Sequence, residues 1–476
     1  MTDRGNLLIL MSDEQAPWAL GCLGRAPIDT PHLDRLAAQG TVFTQAYTNS
    51  PICVSARAAL QTGRYVHQIG CWDSAQPYRG QPKGWAHDLR SAGATAVSVG
   101  KLHFGSSAED NGFEPEILPL HVKDGLGWLP GLLRRPLGSF PAAAELAADV
   151  GPGVSPYHAY DRKVAARSAA WLTEEAPRDR PWTLLASFVS PHYPLVAPPS
   201  YYARYAARDL PPPTPPPGAT DHPALARLLA FFDYDRHFTE EGRRQARIAY
   251  FGLVSFLDDL VGQVLQGLQA SGQHEKTTIL FLSDHGEMLG NQSIWAKSVM
   301  FEDSLGIPMI LAGPGLPRGK QLATPVSLVD VAPTALRAVL DSNDATGPGR
   351  ALQEIAREGE DPDRPLFAEY HDGGSDTGIF AYRRGRWKLV HYEGERPQLF
   401  DLKADPQELN DLGASPAHRE TIAALTAGLR EIVDPSDADA RAFADQADLI
   451  DRLGGRAAVE ARTQDLGFNF SPPPSS

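Results

Sequence analysis

Cysteine is scarce in this chain: Cys22, Cys53 and Cys71 are the only three among 476 residues. They form neither an even set nor a Cys-x-x-Cys pair, which argues against a disulfide framework or a thiolate metal cluster and fits a reducing compartment. Positive charge is also in deficit. A formal net charge of −14 excludes a general affinity for nucleic acid or anionic membrane, because that affinity rests on clustered Lys and Arg. Any anion site must be local. The apolar run before Asp13 is too short for the core of a secretory signal or for a bilayer span. The expectation is a cytoplasmic protein with neither nucleic acid nor membrane as partner.

Apolar residues make up 42% and charged residues 21%, the balance of a soluble globular protein. The length suggests one large unit plus a smaller one, or two comparable ones. Short apolar runs without strict alternation, each followed by a polar turn, read as buried parallel strands. They are "NLLILM" (6–11) before Asp13, "TAVSVG" (95–100) before Lys101, "WTLLASFVS" (182–190) before His192, "TTILFLS" (277–283) before Asp284, and "PMILAG" (308–313). Helices fit between them: Thr30 is a candidate N-cap with Pro31 at the first helical position and a stop at Gly40. A long apolar-faced pattern covers 240–272, with Ile248, Phe251, Phe256, Leu260, Val264 and Leu268 among its apolar positions.

The alternation predicts an α/β fold with a mostly parallel sheet between helices over 1–360. The proline-rich stretch 210–223 reads as an extended surface excursion. Past it, "PLFAEY", "GIFAYRRGRWKLVHY" and "PQLFDL" suggest short antiparallel strands, then a helix over 416–433, giving a small α+β domain over 361–433. Residues 434–476 read as a tail, helical and then frayed towards "SPPPSS".

In an open α/β sheet, ligands bind beyond the carboxyl ends of the strands. A lone cysteine is usually a small buried hydrophobe and a lone strand-end aspartate usually a turn residue. Here, however, Asp13, Cys53, Lys101, His103, His192, Asp284, His285 and Lys297 all fall where strands end or helices start on one edge of the sheet. Their convergence makes coincidence the weaker reading.

"CVSARAALQTGR" (53–64) resembles the signature of the type I, formylglycine-dependent sulfatase family, with Ser55 where the family usually carries proline. "SDEQ" (12–15), "GKLHF" (100–104), "SPHYP" (190–194), "SDHGEMLG" (283–290) and "WAKSVMFEDSLGIPMILAGPG" (295–315) resemble its other motifs, and "LFDLKADPQELNDL" its small C-terminal domain. The resemblance implies an alkaline-phosphatase-like fold and sulfate ester hydrolysis. It implies oxidation of Cys53 to formylglycine by a formylglycine-generating enzyme, and one divalent ion, calcium ahead of manganese or magnesium. Its ligands would be Asp13, Asp284, His285 and position 53, with Glu14 where relatives carry Asp or Gln. By the same resemblance, Lys101, His192 and Lys297 contact sulfate and protonate the leaving group. His103 assists aldehyde regeneration and Arg57 orients the hydrated aldehyde. Such charge stabilisation is what a sulfuryl transfer needs.

The Asp284-His285-Gly286 triplet is similar to the choline sulfatase and phosphonate monoester hydrolase branch, and "GKLHF" favours the sulfatase side. Trp128, in "NGFEPEILPLHVKDGLGW" (111–128), is then a candidate to enclose a quaternary ammonium, with Asp73 and either Glu369 or Asp372 as acidic substrate contacts. The substrate stays open between choline sulfate and another small sulfate ester. A phosphonate monoester or phosphodiester hydrolase, and an unmodified anion-binding relative, remain alternatives. The resemblance also leaves room for a homo-oligomer.

Overall fold

The structure is a computed structural model that describes residues 5–216 and 221–464. Its main sheet has eight strands, in the order Lys320–Leu322, Gly40–Phe43, Met309–Ala312, Thr277–Ser283, Asn6–Asp13, Trp182–Pro191, Thr95–Lys101 and Glu116–Leu120. The strand Asn6–Asp13 is central, parallel to both neighbours, and Leu7 to Leu10 are wholly buried, as a strand covered on both faces requires.

One strand departs from expectation. Met309–Ala312, expected to be parallel, pairs antiparallel with both Thr277–Ser283 and Gly40–Phe43. A parallel return needs a crossover, usually helical, whereas the chain between Ser283 and Met309 is mostly loop, with a 3-10 turn at Asn291–Ser293, the single α-helical turn Glu302–Leu305 and the two-residue strand Gly306–Ile307. That looped return is the segment that carries His285 and Lys297.

The helix Glu240–Ala270 is buried on all sides from Ala246 to Asp258. It packs against the helices Pro156–Ala170 and Pro199–Ala206 and against the sheet. Its length and apolarity reflect a core position. Its Asp258 carboxylate accepts the backbone N–H groups of His32 (3.0 Å) and Leu33 (2.8 Å) at the start of the helix Pro31–Gln39. Thr30 occupies the N-cap position, but its hydroxyl bonds Gly21 and Asp34 instead, so the cap comes from a distant element.

The small sheet is an antiparallel meander of Leu366–Tyr370, Ile379–Arg384, Trp387–Tyr392 and Gln398–Asp401. Gly385, at φ +58°, opens the two-residue turn between its middle strands, a geometry that matches their right-handed twist. The helices Arg419–Ile432 and Pro435–Arg452 follow. Asn49, in the loop that leads to Cys53, bonds the first strand of the small sheet: its Nδ2 donates to the Phe367 carbonyl (2.8 Å), and Glu369 N–H donates to its carbonyl (3.0 Å). The expected extended course over 210–223 holds for 210–216, which has neither helix nor strand. The expected fraying past residue 464 lies outside the described residues.

Candidate active site

Cys53 opens the helix Cys53–Thr62, at the carboxyl edge of the main sheet, and is 5% exposed. Its Sγ lies 3.0 Å from His285 Nε2, 3.5 Å from Asp13 Oδ1 and 4.0 Å from Lys101 Nζ. Burial, reinforced by Asp13, pushes the thiol well up from its ordinary value. One helical turn later, Arg57 donates from Nε to Asp284 Oδ2 (2.8 Å) and from its terminal nitrogens to Asp13 Oδ2 (3.0 Å), the Lys101 carbonyl (2.7 Å) and Ser187 Oγ (3.0 Å). Three strand ends are thereby gathered round one guanidinium.

Lys101 also forms an ion pair with Asp13. Burial opposes ionisation of Asp13, but Lys101, His192 and Arg57 outweigh it and hold the carboxyl well below the usual range. His285 Nδ1 lies 3.0 Å from the Gly286 carbonyl; a carbonyl only accepts, so Nδ1 carries the proton and Nε2 presents a lone pair towards Cys53. Ligand atoms of Asp13, Cys53, Asp284 and His285 all lie within 4.8 Å of one another, a spacing one ion can bridge.

Glu14, expected beside these ligands, groups instead with Asp13 and His192. The backbone at Glu14 has φ +64°, turning the chain as it leaves the strand, and Glu14 Oε2 accepts from Lys297 Nζ at 2.7 Å. Lys297 Nζ also lies 3.1 Å from His192 Nε2 and 4.5 Å from the Tyr193 ring centre. His192 Nδ1 donates to the Tyr193 carbonyl (2.8 Å), which leaves Nε2 to accept from the ammonium. Burial would lower Lys297, yet Glu14 more than compensates and raises it well above its usual value; burial, then Lys297, lowers His192. Burial, with Lys101 and Arg57, likewise lowers His103.

A cavity beside Cys53 is lined by His103, Lys297, Trp128, Phe232, Tyr234 and Asp372, among others. Trp128 and Phe232 stack at 6.2 Å between centres, Phe232 and Tyr234 at 5.4 Å, and Phe140 stands edge-on to Trp128 at 5.3 Å. Asp372 Oδ2 accepts from Ser74 N (3.1 Å) and Oγ (2.6 Å), and Oδ1 from Gly373 N (2.7 Å). Gly131 lies so close that a Cβ there would stand 2.1 Å from Asp372 Oδ1.

Two expected substrate contacts stand elsewhere. Glu369 is wholly buried behind the cavity, with Oε1 accepting from His67 N and Nδ1 (both 2.9 Å) and Oε2 lying 3.1 Å from His371 Nε2. It lies within the strand Leu366–Tyr370, whereas Asp372, two residues past the strand end, is free to turn into the cavity. Asp73 bonds Ala75 N (2.8 Å) and Gln446 Nε2 (2.7 Å) and does not line the cavity. Sequence reasoning did not single out Phe140, Phe232 or Tyr234. The aromatic density of "AFFDYDRHF" (230–238) is the one signal that pointed to the last two.

Comparison with known proteins agrees with this geometry. The sulfatase family model matches residues 5–342, and that of the N-sulphoglucosamine sulphohydrolase C-terminal region matches 290–434. The chain is 34% identical over 450 residues to a choline-sulfatase of Rhizobium meliloti (strain 1021), covering 90% of this chain and 86% of that protein. It is 27% identical over 457 residues to arylsulfatase K of Danio rerio, covering 91% and 84%. The solved phosphonate monoester hydrolase of Agrobacterium radiobacter superposes with a TM-score of 0.73 at 24% identity, covering 90% of this chain and 95% of that one, a likeness of fold. On these matches, and on a mostly parallel sheet joined to a small antiparallel one, the chain belongs to the sulfatase family, with an alkaline-phosphatase-like fold and the activity of a sulfuric ester hydrolase.

Proposed function

We propose that the chain hydrolyses the sulfate monoester of a small cationic alcohol, choline sulfate or a close analogue. It does so in the cytoplasm, after a formylglycine-generating enzyme has converted Cys53, and with one divalent ion, calcium ahead of manganese or magnesium. The observation that carries the substrate class is the Asp372 carboxylate beside the Trp128, Phe232 and Tyr234 rings in the cavity that also holds Cys53. A quaternary ammonium has no N–H to donate, so aromatic faces and a nearby negative charge are what bind it. Choline sulfate hydrolysis is also what the name of the Rhizobium relative describes.

The residues fit the ion. Two buried carboxylates are hard oxygen donors, an imidazole lone pair adds a borderline nitrogen donor, and the Gly286 carbonyl orients the imidazole. Asp13, Asp284, His285 and position 53 would hold the ion, where it supplies a Lewis acid. Formylglycine supplies a hydrated aldehyde, with one hydroxyl to attack sulfur and a second through which the carbonyl re-forms.

The chain's own groups do the rest. Arg57 keeps Asp13 and Asp284 beside position 53. Lys101 and Lys297 put fixed positive charge where the sulfuryl oxygens gain negative charge. Lys297 donates towards His192 Nε2, so this pair is suited to pass a proton to the departing alcohol oxygen. His103, kept neutral by burial and by Lys101, is able to take the proton of the second hydroxyl.

Two measurements test the reading. Mass spectrometry of the tryptic peptide Leu36–Arg57, from protein made with the maturation enzyme, is expected to find an aldehyde or its hydrate at position 53; an intact thiol rejects the nucleophile. Choline sulfate is expected to turn over faster than a phosphonate monoester, and the reverse order would assign a phosphonate hydrolase.

A further inference from the structure

We infer that Gln446, on the helix Pro435–Arg452, is a positioning residue that holds the Asp372 carboxylate in register with the aromatic rings and so sets the preference for the ester of a cationic alcohol over that of its uncharged isostere. The inference rests on the cationic-ester reading above.

Gln446 is 1% exposed and does not line the cavity, so any effect must pass through other residues. Both ends of its amide are engaged. Nε2 donates to Asp73 Oδ2 (2.7 Å) and to the His371 carbonyl (2.8 Å), while Oε1 accepts from an Arg134 terminal nitrogen (3.1 Å). These three groups belong to the three chain segments that place Asp372. Asp73 precedes Ser74, which donates twice to Asp372 Oδ2. His371 precedes Asp372 itself. Arg134 follows the turn Leu129–Leu132, which starts after Trp128 and sets Gly131 against Asp372 Oδ1. One amide thus ties together the wall bearing the ring and the two walls bearing the carboxylate.

The electrostatics explain why the tie is a neutral amide. Asp73 and Asp372 are both buried, and burial with the nearby Asp372 pushes Asp73 up to about 7. Arg134, wholly buried, is the cation behind them, and its Nε donates to the Ser375 carbonyl (2.7 Å). A further charge at 446 would upset that balance, whereas an amide adds direction without charge. An apolar side chain there would leave Asp73 Oδ2, the His371 carbonyl and an Arg134 nitrogen without this bond. The helix itself has other anchors: Trp72 Nε1 donates to Asp445 Oδ2 (2.7 Å), Gly378 N to Asp439 Oδ1 (2.6 Å), and Arg135 lies 3.7 Å over the Phe443 ring. Loss of the amide therefore leaves the helix docked.

The test compares kcat and KM of the matured wild type and of Gln446→Met on choline sulfate and on 3,3-dimethylbutyl sulfate, in which carbon replaces the ammonium nitrogen. The expected result is a rise of about tenfold in KM for the choline ester, the equivalent of one lost charge-assisted hydrogen bond, with a much smaller change for the ammonium-free ester. Gln446→Ala, which leaves room for water, is measured alongside in case the methionine variant does not fold. An unchanged preference, or an equal KM rise on both esters, overturns the positioning role and leaves the cation pocket standing. A wild type that does not prefer the choline ester refutes the pocket and the inference with it, and that failure is visible before any substitution is made.

Discussion

Arg57 and Asp284 form a buried ion pair across the site, Nε to Oδ2 at 2.8 Å, with side chains 3% and 0% exposed. The arginine comes from the first turns of the helix Cys53–Thr62 and the aspartate from the end of a strand more than two hundred residues later. Asp13, from the central strand, accepts from the same guanidinium. Arg57 therefore stands in for part of the positive charge that two neighbouring carboxylates demand.

From this follows an expectation for Arg57→Ala. Removing one member of a buried pair leaves uncompensated charge and costs about 3–5 kcal/mol. Because a bound cation would relieve that charge, added calcium should raise the melting temperature of the variant more than that of wild type. Equal calcium shifts in the two proteins would contradict the proposed ion position.

Gly131→Ala tests the wall of the cavity. Its Cβ would stand 2.1 Å from Asp372 Oδ1, so either the carboxylate or the turn must move. KM for choline sulfate should rise, while the circular dichroism spectrum stays that of the wild type. An unaltered KM would mean that Asp372 does not contact the substrate.

Glu369 makes the acid limit of stability testable. Burial alone would raise its pKa, but His67 and His371 outweigh burial and bring it from 4.5 down to about 2. A carboxyl depressed in the folded state binds fewer protons there than when unfolded, so it stabilises the fold above about pH 4.5 and loses that contribution as pH falls towards 2. Glu369→Gln should therefore be less stable than wild type at neutral pH, with the difference shrinking over that window. Denaturant titrations at several pH values read it directly, and a gap that widens in acid would contradict the assignment.

Asp258→Ala removes the remote cap of the helix Pro31–Gln39. Loss of an N-terminal cap costs about 0.5–2 kcal/mol. Thr30 cannot replace it, since its hydroxyl is committed to Asp34 and Gly21. Chemical denaturation should show the loss without any change in KM.

Asp13, Cys53, Arg57, Lys101 and Asp284 were legible because each occupies a strand end or the first turns of a helix, and such places are marked locally by a short apolar run followed by polar residues. Chain order and strand type then dictate that parallel strands point their carboxyl ends to one edge, which brings Asp13, Lys101 and Asp284 together. Direction failed only at Met309–Ala312, where the type of connection rather than the apolar run decides which way a strand lies.

The cavity beyond Cys53 was not legible in the same way. Its rings and its carboxylate come from segments whose sequences carry no shared period, and no local rule tells Glu369 from Asp372, three residues apart in "EYHD". Packing separates them: the strand holds Glu369 between two imidazoles, and the loop that follows turns Asp372 towards the rings. By itself the sequence determined the layered α/β fold, the sheet edge and the reactive groups along it, because periodicity and strand ends are local properties of a chain. Only the tertiary structure decided which carboxylate faces the rings, which distant aspartate caps a helix and which amide ties the cavity walls together, because those contacts join residues far apart in sequence and exist only once the layers have packed.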